Sequence, residues 1–226
     1  MEKEQLLERY EALGDEADFL AAKPLYERAV ADRPDARVLN DYGYLLYAHA
    51  RRELRRAVEL YERAIELDPG CDKPHYQLIV ARAALEEPEL AVALYERRLA
   101  AAPGELREHR FLAAAQLRAH AYEQASAIAE GGLELAPDDA ALMELRGEAR
   151  AGLGDPEGAL ADWRRSLELD PESIGGLYMS AFLLEREGRR PEAIEAWEAI
   201  VDWNEARGYA LHAAWPRQEL DRLRRS

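Results

Sequence analysis

Five histidines, one cysteine and 45 acidic side chains are the groups in this 226-residue chain whose types could do chemistry. His75 and His109 stand 34 residues apart. Two neutral imidazoles brought together could share a metal ion. The same spacing could instead be a structural period, in which case both rings fill equivalent packing slots on helices. Cys71 sits in the turn DPGCDKP. No low-pKa setting is visible around it, so it reads as a loop thiol. A single cysteine excludes an intramolecular disulfide. The string GDEADFL contains the letters D-E-A-D, a nucleotide-hydrolysis signature. That chemistry needs a phosphate-cradling G-x-x-x-x-G-K-[ST] upstream, and the chain has none. H-E-x-x-H, paired-cysteine metal spacing and a nucleophile elbow are also missing from the sequence. The carboxylates fall mostly on the polar faces of amphipathic segments. They read as solvated surface rather than as an acid–base pair. No catalytic residue, cofactor or metal is expected.

The elements that would position any site repeat. Residues 57–69 read AVELYERAIELDP, and close variants begin at Ala91, Ala159 and Ala193. Aligned on the closing prolines Pro34, Pro69, Pro103, Pro137 and Pro171, the spacings are 35, 34, 34 and 34. Eight residues before each proline stand Tyr26, Tyr61, Tyr95, Ala129 and Trp163, continued by Trp197. Twelve residues before stand Ala22, Ala57, Ala91, Ala125 and Ala159, continued by Ala193. An alanine, an aromatic four later and a small residue three after that share one helix face. The last place is held by Ala29, Ala64, Gly132 and Ser166, with Arg98 and Ile200 as exceptions. The alanines let helices approach and the aromatic fills the next turn, until proline stops the helix.

A second helix completes each period. Its inner stripe is small or apolar: Leu39, Tyr42, Gly43 and Leu46 in one period, Leu145, Gly147 and Leu153 in another. Turns such as Gly154-Asp155-Pro156 and Gly188-Arg189-Arg190-Pro191 place proline where a helix starts. Each period is therefore a helix–turn–helix of 34 residues. The expected fold class is all-α: an α-solenoid of about six such repeats plus a C-terminal capping helix. The repeats are expected at roughly 3–34, 35–69, 70–103, 104–137, 138–171 and 172–204, with the cap at 205–226. The first repeat shows a longer turn, from Gly14 to Ala22, and Pro24 near the start of its second helix. The second repeat has two extra residues before Ala57.

Leu145, Gly147, Gly154, Ala159, Trp163 and Pro171, with Gly43, Ala57, Tyr61, Ala64 and Pro69, give the chain a pattern that resembles the tetratricopeptide repeat family. The resemblance covers about residues 3 to 204. It implies that the first helix of each repeat (helix A) lines a concave face, and that such a face takes a protein or peptide. In the family's register, that face presents Arg37, Asn40, Tyr44 and Tyr47, then Lys73 and Tyr76. Arg107, Arg110 and Arg118 follow, then Glu144 and Glu148, then Tyr178, Phe182 and Arg186. Some relatives hold a C-terminal carboxylate through a fuller set of lysines and asparagines. Only Asn40 and Lys73 match it here.

The formal net charge is −15. Polyanions are therefore poor partners for the chain as a whole, which argues against nucleic acid and anionic membrane surfaces. The implied groove is nonetheless basic and aromatic. Arginine forks grip carboxylates in two places, and tyrosine adds contact area at little entropic cost. The leading expectation is a non-enzymatic adaptor binding a protein or peptide segment, acidic or with a free C-terminus. The alternative is a self-assembling scaffold, a homo-oligomer joined through the tryptophan-rich C-terminus or a terminal repeat. The charged N-terminal residues lack an apolar signal core, and every uncharged stretch is shorter than the ~18 residues a spanning helix needs. A cytoplasmic protein without membrane insertion is expected.

Overall fold

The computed structural model describes residues 3–32, 35–209 and 211–225. Twelve α-helices and no strand occur among the described residues. The chain divides into two units, Met1–Glu87 and Pro88–Ser226.

The first unit holds α1 (Lys3–Leu13), α2 (Glu16–Asp32), α3 (Ala36–Leu67) and α4 (Asp72–Ala84). Gly14, at φ 69°, ends α1, and the Asp15 carboxylate accepts the Ala17 backbone N–H at 2.9 Å to open α2. The longer Gly14–Ala22 turn expected from the sequence is thus only Gly14 and Asp15. The side-chain cap starts the helix early, and Pro24 lies inside α2. Pro34, the expected stop of the first repeat, lies outside the described residues. Leu6, Tyr10, Phe19, Ala22, Tyr26 and Leu45 make one core across α1, α2 and the first half of α3.

The larger departure is α3. The 35–69 repeat is one continuous helix of 32 residues, not a helix–turn–helix. The stretch Ala48 to Val58, AHARRELRRAV, holds neither glycine nor proline. Its Ala, Arg, Glu and Leu are good helix formers, and nothing in it favours a turn.

The second unit runs through α5 (Pro88–Ala101), α6 (Leu106–Arg118), α7 (Tyr122–Leu135), α8 (Ala140–Gly152), α9 (Pro156–Leu169), α10 (Gly175–Arg186), α11 (Arg190–Ala206) and α12 (Ala214–Arg225). Helices α6/α7, α8/α9 and α10/α11 are antiparallel pairs joined by short turns, and α12 packs on α11 at the end of the stack. The helices α5, α7 and α9 each end two residues before a proline, because proline disfavours helical geometry in its predecessor. Asp139 and Asp155 cap α8 and α9, accepting the Leu142 and Gly158 amides at 3.0 and 2.9 Å. The cap closes the stack by burying Leu220 and Leu223 against Trp197 and Ile200.

The repeat signature is a wedge. A Cβ added at Gly147 would lie 2.5 Å from the Trp163 ring nitrogen, and one at Gly176 would lie 3.0 Å from Trp163 Cβ. Trp163 therefore sits between its own helix A, α8, and the next, α10. Its indole N–H donates to the Glu144 carbonyl at 3.1 Å. Where repeat four has Ala129 in the aromatic place, Leu133, Leu142 and Met143 supply the volume. The exception Arg98 reaches out of its small slot to clasp the buried Glu108 carboxylate at 2.7 and 2.8 Å.

Two turns use the left-handed conformation without glycine: Glu86 at φ 63° and His120 at φ 57°. Gly154 and Gly188 occupy the corresponding places at φ 82° and 71°. A side chain costs about 1 kcal/mol there. Glu86 is well exposed, and its ion pair to Arg51 is long at 4.0 Å. Glu86→Gly is expected to raise stability by roughly 0.5–1 kcal/mol, read as a higher midpoint in urea unfolding.

Candidate functional site

Each unit carries part of the expected binding surface. In the first unit, Arg37 is exposed at 3.7 Å from Asp41, and Asn40 donates to Asp41 at 3.3 Å. Both are ordinary solvated residues of the first turns of α3. Lys73 is exposed and Tyr76 half-buried on α4. Tyr44 and Tyr47 are about half exposed, at 46% and 51%. They border an open groove of about 810 Å³ along α3 whose other walls are Ala48, Arg51, Arg52, Arg55, Arg56 and Glu59.

The groove's arginines differ in what holds them. Arg51 donates to the Tyr47 hydroxyl at 2.7 Å and to the Leu85 carbonyl at 3.0 Å, with its guanidinium 5.6 Å from the Tyr47 ring. The hydrogen bond to Tyr47 holds its pKa above the usual arginine value. Arg52 donates to the Tyr10 and Glu11 carbonyls at the end of α1, where a helix dipole favours a cation. Arg55 and Arg56 are exposed. None of these four arginines is among the residues expected to form the binding surface. The RRELRR run in an otherwise acidic chain was the available signal.

In the second unit the expected arginines are drawn into the stack. Arg110 clamps Asp139, whose side chain is only 3% exposed, with contacts at 3.1 and 3.2 Å and a shorter one from Nη2. Arg118 donates to Glu148 at 2.5 Å. Arg107 lies half-buried, 5.8 Å above the Phe111 ring. Arg146 and Arg150 share the buried Asp162 at 2.6–2.9 Å. These bridges run between neighbouring helices and serve the stack. Helix α6, expected to offer a basic wall, is buried from Phe111 to Leu117.

Tyr178 and Phe182, on α10, do come together. Tyr178 stacks on Trp215 at 6.0 Å and 15°, and Phe182 meets Trp197 edge-on at 5.4 Å. Phe182 and Trp215 keep 48% and 44% exposure. Trp197 is fully buried, and Trp203 donates to the Pro171 carbonyl while Arg207 sits 4.1 Å over its ring. The tryptophan-rich end is mostly packing for the cap.

His75 and His109 are buried, and one ring nitrogen of each meets a local backbone carbonyl, His75 Nε2 that of Pro69 at 3.3 Å and His109 Nδ1 that of Glu105 at 3.4 Å. No group of three or more His, Cys, Asp and Glu suited to a metal occurs among the described residues. Cys71 is exposed. No described helix is long and apolar enough to cross a membrane.

One carboxylate stands out electrostatically. Burial pushes the Glu144 pKa up, although the Ser173 hydroxyl donates to it at 3.1 Å.

With the helix pairs and their side chains in place, the chain can be set beside known proteins. No family model matches the chain, and no curated protein matches it. Solved structures do. A thermophilic tetratricopeptide repeat protein from Thermus thermophilus superposes with a TM-score of 0.59 at 23% identity, covering 80% of this chain and 94% of that one. A tetratricopeptide repeat protein from Parabacteroides merdae matches at 0.52 and 15% identity, covering 98% and 93%. MamA from Desulfovibrio magneticus matches at 0.51 and 22%, covering 71% and 94%. The fold is that of tetratricopeptide repeat proteins.

Two outcomes follow for the second unit. Arg110→Ala leaves the Asp139 carboxylate buried without its clamp. It should cost about 1–3 kcal/mol, seen as a lower chemical-unfolding midpoint, the figure discounted because Arg110 is partly solvated. For Glu144, the native state binds its proton more tightly than the unfolded state. Its contribution to stability is therefore greatest at low pH and is lost as pH rises from the ordinary 4.5 through the raised value. Glu144→Gln should raise the melting temperature at pH 7 and leave it little changed at pH 4.

Proposed function

We propose that the chain is a non-enzymatic interaction module that holds an acidic segment of a partner protein along the tyrosine–arginine groove of α3. The observation that carries this reading is the juxtaposition of exposed Tyr44 and Tyr47 with Arg51, Arg55 and Arg56 in one open groove. Tyr44 and Tyr47 supply flat contact area, and Tyr47 is held by its hydrogen bond from Arg51. Arg51, fixed by Tyr47 and Leu85, is a preset cation. Exposed Arg55 and Arg56 supply forks for carboxylates. A chain with net charge −15 repels a long polyanion, so a short acidic peptide segment suits the groove better than nucleic acid does. This keeps the basic and aromatic character expected from the sequence. It moves the site from the arginines of α6, which are engaged in the stack, to those of α3.

The test uses an array of synthetic acidic and neutral dodecapeptides, each with one aromatic or aliphatic residue. Acidic members should bind, and binding should weaken with added salt. Arg55→Glu with Arg56→Glu should reduce affinity about tenfold or more, and Tyr44→Ala with Tyr47→Ala should do likewise, while helicity by circular dichroism stays constant. No preference for acidic peptides, or binding indifferent to both double variants, would end this reading.

A further inference from the structure

The wedge that builds every other repeat is left half made in α3. In five repeats the signature alanine and the residue four after it are buried: Ala22 and Tyr26, Ala91 and Tyr95, Ala125 and Ala129, Ala159 and Trp163, Ala193 and Trp197. In the 35–69 segment, Ala57 and Tyr61 are only half-buried. Trp163 is gripped between Gly147 of its own helix A and Gly176 of the next. Tyr61 belongs to the second half of α3, the helix that packs on α4, the next helix A. Its own helix A is the first half of the same continuous helix, so it cannot fold over Tyr61. The matching notch is correspondingly empty: a Cβ at Gly43 would touch nothing within 4 Å, and Leu39 and Leu46 are 51% and 39% exposed.

We infer that a second copy of this chain supplies the missing half, the two α3 helices pairing antiparallel so that each Tyr61 enters the other copy's Gly43 notch. The helix period makes this possible. Gly43 and Tyr61 are 18 residues apart, five full turns, so knob and notch lie on one face of α3. A two-fold axis through residue 52 then fills both notches at once, as a self-complementary interface requires. Leu39, Gly43 and Leu46 of one copy cover Ala57, Tyr61 and Ala64 of the other. Arg52, the residue at the axis, is turned to the opposite side, bonded to α1. The cations at the axis therefore do not face each other. Closing the hairpin within one chain would instead need a break in AHARRELRRAV, which contains no turn residue. The groove's Tyr47 lies one turn from Gly43 and borders this interface, whereas Arg55 and Arg56 point well away from it, so the Arg55→Glu/Arg56→Glu variant tests the peptide groove and Gly43→Arg tests the dimer.

The test is mass and crosslinking on the full chain. Wild type should sediment as a dimer with concentration-dependent dissociation. Gly43→Arg has room on an isolated α3, so helicity should be unchanged, while the dimer dissociation constant rises about a hundredfold or more. In a Cys71→Ser background, Gly43→Cys with Tyr61→Cys should be joined between copies by a short bismaleimide. Within one continuous helix the two sites are about 27 Å apart and out of reach. A crosslink within one chain would show a closed hairpin and overturn the proposal. So would a wild-type monomer at high protein concentration, or a dimer that Gly43→Arg leaves intact.

Discussion

A bulky aromatic on one helix, driven between two helices that each offer a glycine or alanine, is the interaction on which the repeats depend. Close approach at Gly147 and Gly176 is what lets Trp163 touch both helices at once. Trp163 is buried and its indole N–H is satisfied by a backbone carbonyl, so it combines apolar burial with no orphaned donor. Because the wedge joins one repeat to the next, it sets pairing within a repeat and stacking between repeats together. The carboxylate–arginine bridges, Arg98 to Glu108, Arg110 to Asp139, and Arg146 and Arg150 to Asp162, then lock neighbouring helices at the margin. They explain why an acidic chain can place carboxylates at buried positions at all: each is held by a guanidinium fork.

Helix α3 shows what happens when local and periodic signals disagree. The period asks for a turn near residue 50, while AHARRELRRAV offers only helix formers. Local propensity prevails, and two consequences follow from the same cause. The arginines that would have crowded a turn are spread along a helix, where they line a groove with Tyr44 and Tyr47. The faces that would have met inside the hairpin, around Gly43 and Tyr61, stay uncovered on one side.

The fold was legible because its signals are redundant. Alanine, aromatic and proline recur in register, and each has a single physical reason for its place. The cap was legible in Pro216 and the flanking apolar and basic residues, and α12 packs as expected. The site was less legible. Register arithmetic placed Arg107, Arg110 and Arg118 on a helix A but could not see the acidic residues of the next repeat, because charge pairing across a stack depends on side chains about 30 positions apart. It placed Tyr44, Tyr47 and Phe182 on exposed positions, and they are exposed, since aromatic exposure follows helical phase more directly. It did not select Arg51, Arg52, Arg55 and Arg56, which line the α3 groove.

The sequence by itself determined the all-α class, the 34-residue period, the wedge residues and the cap, since each rests on helical periodicity and on helix stops, which are local. Tertiary structure alone decided which arginines are consumed by buried carboxylates and which stay open. It also decided that Trp215 lies on Tyr178 and that α3 runs unbroken beside its neighbours. Those outcomes depend on groups distant in sequence competing for the same space and the same charge, and no local pattern carries that information.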